Sequence, residues 1–373
     1  VVTTSLLIGE TRTGRITDTL TGDELPTGLR WSAVLNNSGS IDSVTIPSSV
    51  VTKYDLRQKT FGERCFLAVE VDGRIKQAGP IKSRSWDWEK GELTLGAAGI
   101  WSLMDKRVIY DDADFPSGLR TFSGVSLGGL AVSLVSHMLN AVPPFTNLPI
   151  VLPAIETGDH TESFARWELS RYGEQMRQIT QRATDAPDIR FEPRRTAADS
   201  RYLEWVMEVG TEVAPSLSQG GPDWVFDASA PKSSVRGIST DEDASGMATA
   251  TWVTGTGMEA DMKLARGFDD GTLLNNGWPF MEVDESHSTV DDNAILTGYA
   301  EALAVRAARP IEVFKVQVSA SAANEVLPGD YCQVITKGDP WLGDMDRLMR
   351  VRQVSGDLSD VVTLEMFPLA GLL

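Results

Sequence analysis

The sequence predicts a mainly β protein with α+β insertions, and three observations carry that prediction. Apolar residues alternate at period two through most of the first hundred residues and again from residue 309 onward. Tight-turn signals, above all Asp72-Gly73, separate those runs. Between the two β-rich ends lie longer apolar stretches with helical spacing and proline stops. A chain of 373 residues exceeds what one compact core usually holds, so two to four units are expected.

The first unit is expected over 1–105. The run "LRWSAVLN" places Leu29, Trp31, Ala33 and Leu35 on one face of a strand. In "FLAVEVDGRIKQAGPI", Asp72-Gly73 joins two strand-like runs, because a two-residue primed turn needs positive φ. "SRSWDWEKGELTLG" repeats the device: Trp86 and Trp88 share a face, a Glu-Lys-Gly turn follows, and Leu93 and Leu95 return. Short strands linked this way suggest an antiparallel barrel or sandwich.

Residues 106–227 read as α+β. "IYDDADFPSG" is a loop, and a helix is expected over Val125–Leu139. The window 124–142 is the most apolar of the chain. It carries three Gly, three Ser, a His and an Asn, so it reads as a buried helix and not as a membrane span. After the proline-rich "NAVPPFTNLPIVLP", a second helix is expected over about Glu162–Thr184, with Phe164, Trp167, Tyr172, Met176 and Ile179 near one face and Pro187 beyond its end. Two strands follow, "DIRFEPRR" and "RYLEWVMEVG".

Residues 228–258 suggest two strands around an acidic turn. A helix is expected over about Val290–Arg309, capped by Ser288 or Thr289, with Asp291 and Asp292 at its positive end, Arg306 and Arg309 at the other, and Pro310 as its stop. The last residues, 309–373, give four or five antiparallel strands that alone would leave open edges. Strands from 228–262 are expected to complete a second barrel with them. Residues 263–308 would then be an inserted helical part grouped with the α+β domain.

Charge narrows the partners. The 34 Lys and Arg stand against 52 Asp and Glu, a net of -18. Such a surface repels phosphate and anionic membranes and favours basic partners. Cys65 and Cys332 lie in strand-like runs and read as buried free thiols. No secretory signal is read at the start, "VVTTSLLIGETRTGR".

Chemical motifs are sparse. Of the three histidines, His137 lies in the apolar helix, while His160 and His287 lie in polar loops that also hold Ser and Asp or Glu. Members of a catalytic triad are rarely adjacent in sequence, so both read as solvated loop residues. No clustered His or Cys suggests zinc. The acidic groups at Asp111-Asp112-Asp114, Asp241-Glu242-Asp243, Asp269-Asp270 and Asp291-Asp292 lack calcium-loop spacing and read as turns and helix starts. Gly255, Gly257 and Ala260 have the GxGxxA spacing, but a dinucleotide site also needs a helix directly after it. No catalytic residue, metal or cofactor is expected. Trp86, Trp88, Trp205 and Trp252 fit alternating strands as core or interface anchors. Trp278 and Trp341, in "NNGWPF" and "GDPWLGD", are the candidates for partner contact.

The order of parts in the last third is the most informative pattern. Gly255 and Gly257 end a strand. "AEALAVRAARP" follows as an Ala-rich helix, then a strand pair with Pro328-Gly329-Asp330, then "QVSGDLSDVVTLEM" with its turn. This order resembles the tail-hub proteins of long-tailed bacteriophages, also called minor tail or baseplate hub proteins. The resemblance implies two antiparallel β-barrel hub domains plus an α+β domain. It implies a homotrimer whose six barrels form a pseudo-sixfold ring under a hexameric tail tube. The implied partners are distal tail and tail tube proteins, the tape measure protein, and tip or receptor-binding proteins. The implied place is the tail tip of the virion, after synthesis in the host cytoplasm. DNA would pass through without specific binding, past carboxylates that repel it. The peptidase or lysozyme-like domain of some hubs has no place in these 373 residues. Two other classes stay open: a carbohydrate-binding module stacking sugars on Trp278 and Trp341, and a hydrolase using His160 or His287.

Overall fold

The computed structural model describes residues 3–109, 118–141, 146–182, 186–218, 224–268, 271–287 and 290–369. Among the described residues, strand accounts for 46% and helix for 19%, which makes the fold mainly β, as expected. The chain forms two compact units, 1–238 with 315–373, and 239–314.

The strands are β1 (Thr4–Glu10), β2 (Ile16–Thr21), β3 (Arg30–Val34), β4 (Ser40–Pro47), β5 (Cys65–Val71), β6 (Arg74–Asp87), β7 (Glu92–Ala98), β8 (Leu119–Val125), β9 (Ile150–Val151), β10 (Thr157–Ala165), β11 (Ile189–Arg195), β12 (Leu203–Val209), β13 (Trp224–Asp227), β14 (Val235–Asp243), β15 (Ala250–Thr254), β16 (Leu264–Phe268), β17 (Glu282–Ser286), β18 (Ile311–Ser319), β19 (Tyr331–Asp339), β20 (Gly343–Gly356) and β21 (Val361–Pro368). The helices are α1 (Ser48–Tyr54), α2 (Leu56–Lys59), α3 (Trp101–Met104), α4 (Leu127–Asn140), α5 (Tyr172–Ile179), α6 (Thr272–Asn275) and α7 (Asn293–Ala307).

In the larger unit the strands of both chain ends merge into one sheet, ordered β14-β18-β21-β20-β3-β4-β7-β6-β5-β1-β2, with β19 between β20 and β13. Among the described residues this sheet does not close into a barrel. The seam is β3 against β20, with Gln353 opposite Val34 and Gly356 opposite Trp31. Two 14-residue strands make the layers turn. β6 pairs with β5 along its first half and with β7 along its second, and β20 passes from β19 to β21 and β3. The Asp72-Gly73 turn forms as expected, with φ of 48° and 77°, the positive pair that a primed hairpin turn requires.

The α4 helix explains the most apolar window. Leu130, Ala131, Leu134, Val135 and Met138 are fully buried, and a helix apolar on all sides is a core helix. Its start is capped by Ser126, whose Oγ accepts from the Gly129 amide at 2.9 Å. The second expected helix is shorter than its spacing suggested. Residues 157–165 are β10, paired with β8, and only Tyr172–Ile179 is helical. Leu169 sits in the left-handed region at φ 51°, which breaks any continuous helix from 162. Trp167, placed on the buried face by helical counting, is 74% exposed. The two expected strands form as β11 and β12, which pair antiparallel. No described helix is long and apolar enough to cross a membrane.

The smaller unit is a three-stranded sheet, β16-β15-β17, with α7 on one face. Asp241, Glu242 and Asp243, expected as a turn, are instead the end of β14, with the turn just after them at 245–246, and the two strands expected around them part company. β14 joins the large sheet beside β18, while β15 pairs with β16 and β17 and not with the closing strands. The α7 cap is Asp292, whose carboxylate accepts from the Ala294 and Ile295 amides; the expected caps Ser288 and Thr289 lie outside the described residues. So do Asp111, Asp112, Asp114, Asp269 and Asp270.

Candidate functional site

The motif Pro328-Gly329-Asp330 marks a polar junction where the two ends of the chain meet the α+β region. Gly329 has φ 107°, and a Cβ there would lie 3.2 Å from the Leu217 carbonyl oxygen. Each residue of the motif takes a partner from elsewhere. Arg190 on β11 donates to the Pro328 carbonyl at 2.7 Å, and Arg350 on β20 donates to the Gly329 carbonyl at 3.3 Å. Asp330 Oδ2 accepts from the Leu327 amide at 2.9 Å and from Trp224 Nε1 at 3.2 Å. Burial raises the Asp330 carboxyl above its ordinary range, and Arg190 lies 3.8 Å from Oδ1.

Asp188, itself buried, is the second centre. Its Oδ1 accepts from Asn36 Nδ2 at 3.0 Å, and its Oδ2 accepts from the Leu217 amide at 2.9 Å and pairs with Arg350. Asn36, just after β3 and at φ 59°, returns two bonds to Ile189: its Oδ1 accepts from the Ile189 amide at 2.7 Å, and its own amide donates to the Ile189 carbonyl at 3.0 Å. Arg190 also pairs with Glu208 on β12. Asn36, Asp188, Arg190 and Arg350 were not singled out from the sequence. They are separated by up to hundreds of positions, and only Pro-Gly-Asp gave a local signal. Both Asp188 oxygens and Asp330 Oδ2 are held by fixed donors, whereas buried Asp330 Oδ1 has no hydrogen-bond partner among the described residues, with Arg190 3.8 Å away.

A cavity of about 440 Å³ lies beside it, lined by Trp31, Lys76, Gln77, Glu192, Trp205 and Asn324 among others. Lys76 Nζ donates to the Asn324 carbonyl, and burial, with the Arg74 charge beside it, pushes its ammonium down to about 8. Burial pushes Glu192 up.

The histidines are not assembled into a hydrolytic site. His137 Nδ1 meets Tyr172 Oη at 2.7 Å inside the α4 core. His160 is exposed on β10, and His287 stacks on Tyr299 at 4.2 Å with Glu285 at 3.1 Å. No hydrogen bond joins His160 or His287 to a serine among the described residues. Gly257, at φ 112°, leads into a single 3-10 turn at Glu259–Asp261 and then antiparallel β16, so the GxGxxA spacing opens no α-helix. No group of three metal-ligating side chains occurs among the described residues. Cys65 and Cys332 are free and buried, and burial raises both thiols. Trp205 is core, donating from Nε1 to the Ala78 carbonyl at 3.1 Å, whereas Trp86 and Trp88 are exposed. Trp341, 84% exposed, sits at the β19–β20 hairpin tip, its amide held by Asp339. Trp278, in the smaller unit, is 46% exposed beyond α6.

By sequence, the chain matches no protein-family model and no curated protein. By structure, it matches the 43 kDa tail protein of prophage MuSo2 from Shewanella oneidensis, with a TM-score of 0.59 over 97% of this chain and 98% of that one at 11% identity. The chain has the fold of prophage tail proteins. A tail protein from Neisseria meningitidis matches at a TM-score of 0.52, with 98% and 96% covered at 13% identity. A prophage tail protein from Listeria monocytogenes matches at 0.50, with 97% and 94% covered at 13% identity. The likeness thus runs through both units and not through one shared motif.

Proposed function

We propose that this chain is a structural virion protein, a hub subunit at the distal end of a bacteriophage tail. The observation that carries the reading is the fold shared with tail proteins over nearly the whole length. Three copies close a ring around the DNA exit channel and join the hexameric tail tube to the tip and receptor-binding proteins, with the tape measure protein ending against them. Within each copy, the β half from 1–105 and the β half built from 309–373 serve as the two equivalent parts of a pseudo-sixfold ring. The seam at β3 and β20 and the junction around Asp188 support this, since they lock the two halves at one angle. The net charge of -18 suits a wall that lets phosphate slide past. The protein catalyses nothing. Replacing His160 and His287 leaves assembly and infectivity intact, and loss of a hydrolase activity on either replacement would refute that statement.

One observation favours a second reading. The exposure of Trp341 suits a sugar-stacking platform, with Trp278 as a second one. Binding on a glycan array that is lost in Trp341→Ser would support it.

A further inference from the structure

The smaller unit has an apolar surface out of proportion to its size. Residues 239–314 hold 10 of the 24 exposed large hydrophobic side chains found among the described residues. They also hold 14 acidic residues against 4 Lys and Arg, so this short stretch carries -10 of the net -18. Scattered single residues would mean little, but exposed apolar residues that share one face mark interaction sites.

The patch is best defined on the sheet face opposite α7. Val253 and Ala265 point to the helix and are buried with Leu296, Ala300 and Leu303. The alternate residues point away. On β16 these are Leu264, Arg266 and Phe268, with the two apolar ones each 55% exposed. On β15, Trp252 lies opposite Arg266, and on β17, Asp284 lies beside Trp252. The Arg266 guanidinium is stacked 4.5 Å from the Trp252 ring and 3.8 Å from the Phe268 ring. Trp252 Nε1 donates to Glu282 Oε1 at 2.9 Å, so the aromatic row is pre-ordered, and Arg266 lies 3.9 Å from the same carboxylate. The face is therefore a rigid apolar and aromatic strip bordered by exposed carboxylates on β17.

We infer that this face docks a polypeptide segment of another protein that presents apolar and Lys or Arg side chains together. Leu264 and Phe268 supply the contact area and Asp284 the complementary charge, while Glu282 is engaged by Trp252 and Arg266. A second copy pairing through this same face fits poorly, because it would set two such acidic units against each other. Nucleic acid fits poorly for the same reason. The inference follows from this surface alone, whatever ring the subunits form.

The test uses the full chain and three synthetic peptides of equal length: Lys alternating with Leu and Val, Glu in place of Lys, and Ser in place of Leu and Val. Binding is read by fluorescence anisotropy, and its location by amide hydrogen exchange. The Lys/apolar peptide is expected to bind and to protect β16 and β17. The other two bind at least about tenfold more weakly. Leu264→Ser with Phe268→Ser, and separately Asp284→Lys, each weaken binding by about tenfold or more, while Glu301→Lys on the outer side of α7 changes it by less than about twofold. These residues are exposed, and the exchange pattern of α7 checks that the unit stays folded. Absent binding, protection elsewhere, equal binding of the Glu peptide, or equal weakening by Glu301→Lys overturns the proposal. So does a self-associated chain that Leu264→Ser with Phe268→Ser dissociates.

Discussion

Replacing Asp188 with alanine is expected to loosen the junction more than any comparable surface change. Three interactions end on this one carboxylate: the Asn36 amide, the Leu217 amide and the Arg350 guanidinium. Its side chain is 8% exposed and that of Arg350 21%, so little water replaces what is lost. Removing one partner of a buried pair costs about 3–5 kcal/mol, because the other charge is stranded. At roughly 2–4 °C per kcal/mol for a unit of this size, the larger unit should melt on the order of 10 °C lower. Arg350 keeps the Leu217 and Gly329 carbonyls at 3.1 and 3.3 Å, which places the loss toward the lower end of that range. The assay is calorimetry of the full chain together with hydrogen exchange at the Leu217 and Ile189 amides, which should lose protection first. Adding Arg350→Met should cost less in the Asp188→Ala background than alone, because the stranded charge is gone. A melting shift below about 2 °C, or strictly additive single and double variants, would refute the reasoning.

Lys76→Met should stabilise the protein at pH 7 by about 1–3 kcal/mol, since the folded state there carries a buried ammonium. The folded value of about 8 lies below the ordinary 10.5, so between those values the unfolded chain holds a proton that the folded one has shed. Stability from this group rises with pH across that window, and the gap between wild type and variant should close as pH approaches 10.5. Gly329→Ala should cost about 1–3 kcal/mol, read by denaturant melting, because φ 107° strains any side chain and the Leu217 carbonyl stands in its way. Cys65 and Cys332 should resist alkylation in the native protein and react only on unfolding, since both thiols are buried and raised. Trp341→Ser should leave the melting temperature unchanged while altering partner binding, because its ring rests on solvent.

How much of this was legible in the sequence depended on whether the signal was local. The Asp72-Gly73 hairpin, α4 and the paired strands β11 and β12 carried their own patterns, and each formed. The strand over 157–165 did not. Its residues are mostly polar and exposed, and only pairing with β8 makes it a strand, while Leu169 in the left-handed region was invisible to helical counting. Trp86 faces outward near the end of β6, because period two gives two faces and does not say which is buried, and Trp88 lies in the turn beyond β6. The merging of both chain ends at β3 and β20 rests on pairings more than three hundred residues apart in the chain, which no local pattern announces. Pro328-Gly329-Asp330 was visible as a motif, but Asp188, Asn36 and Arg350 acquire their meaning only through the fold that gathers them.

The central claim is that this chain is a ring-forming subunit of a tail. The measurement that bears on it most directly is a high-resolution reconstruction of the particle containing it, with the chain located by a fused tag. The account predicts three copies around an open channel, closed by one repeated interface, with Asp and Glu outnumbering Lys and Arg on the channel wall. A twofold or single-copy arrangement, or a strongly basic channel, would contradict it.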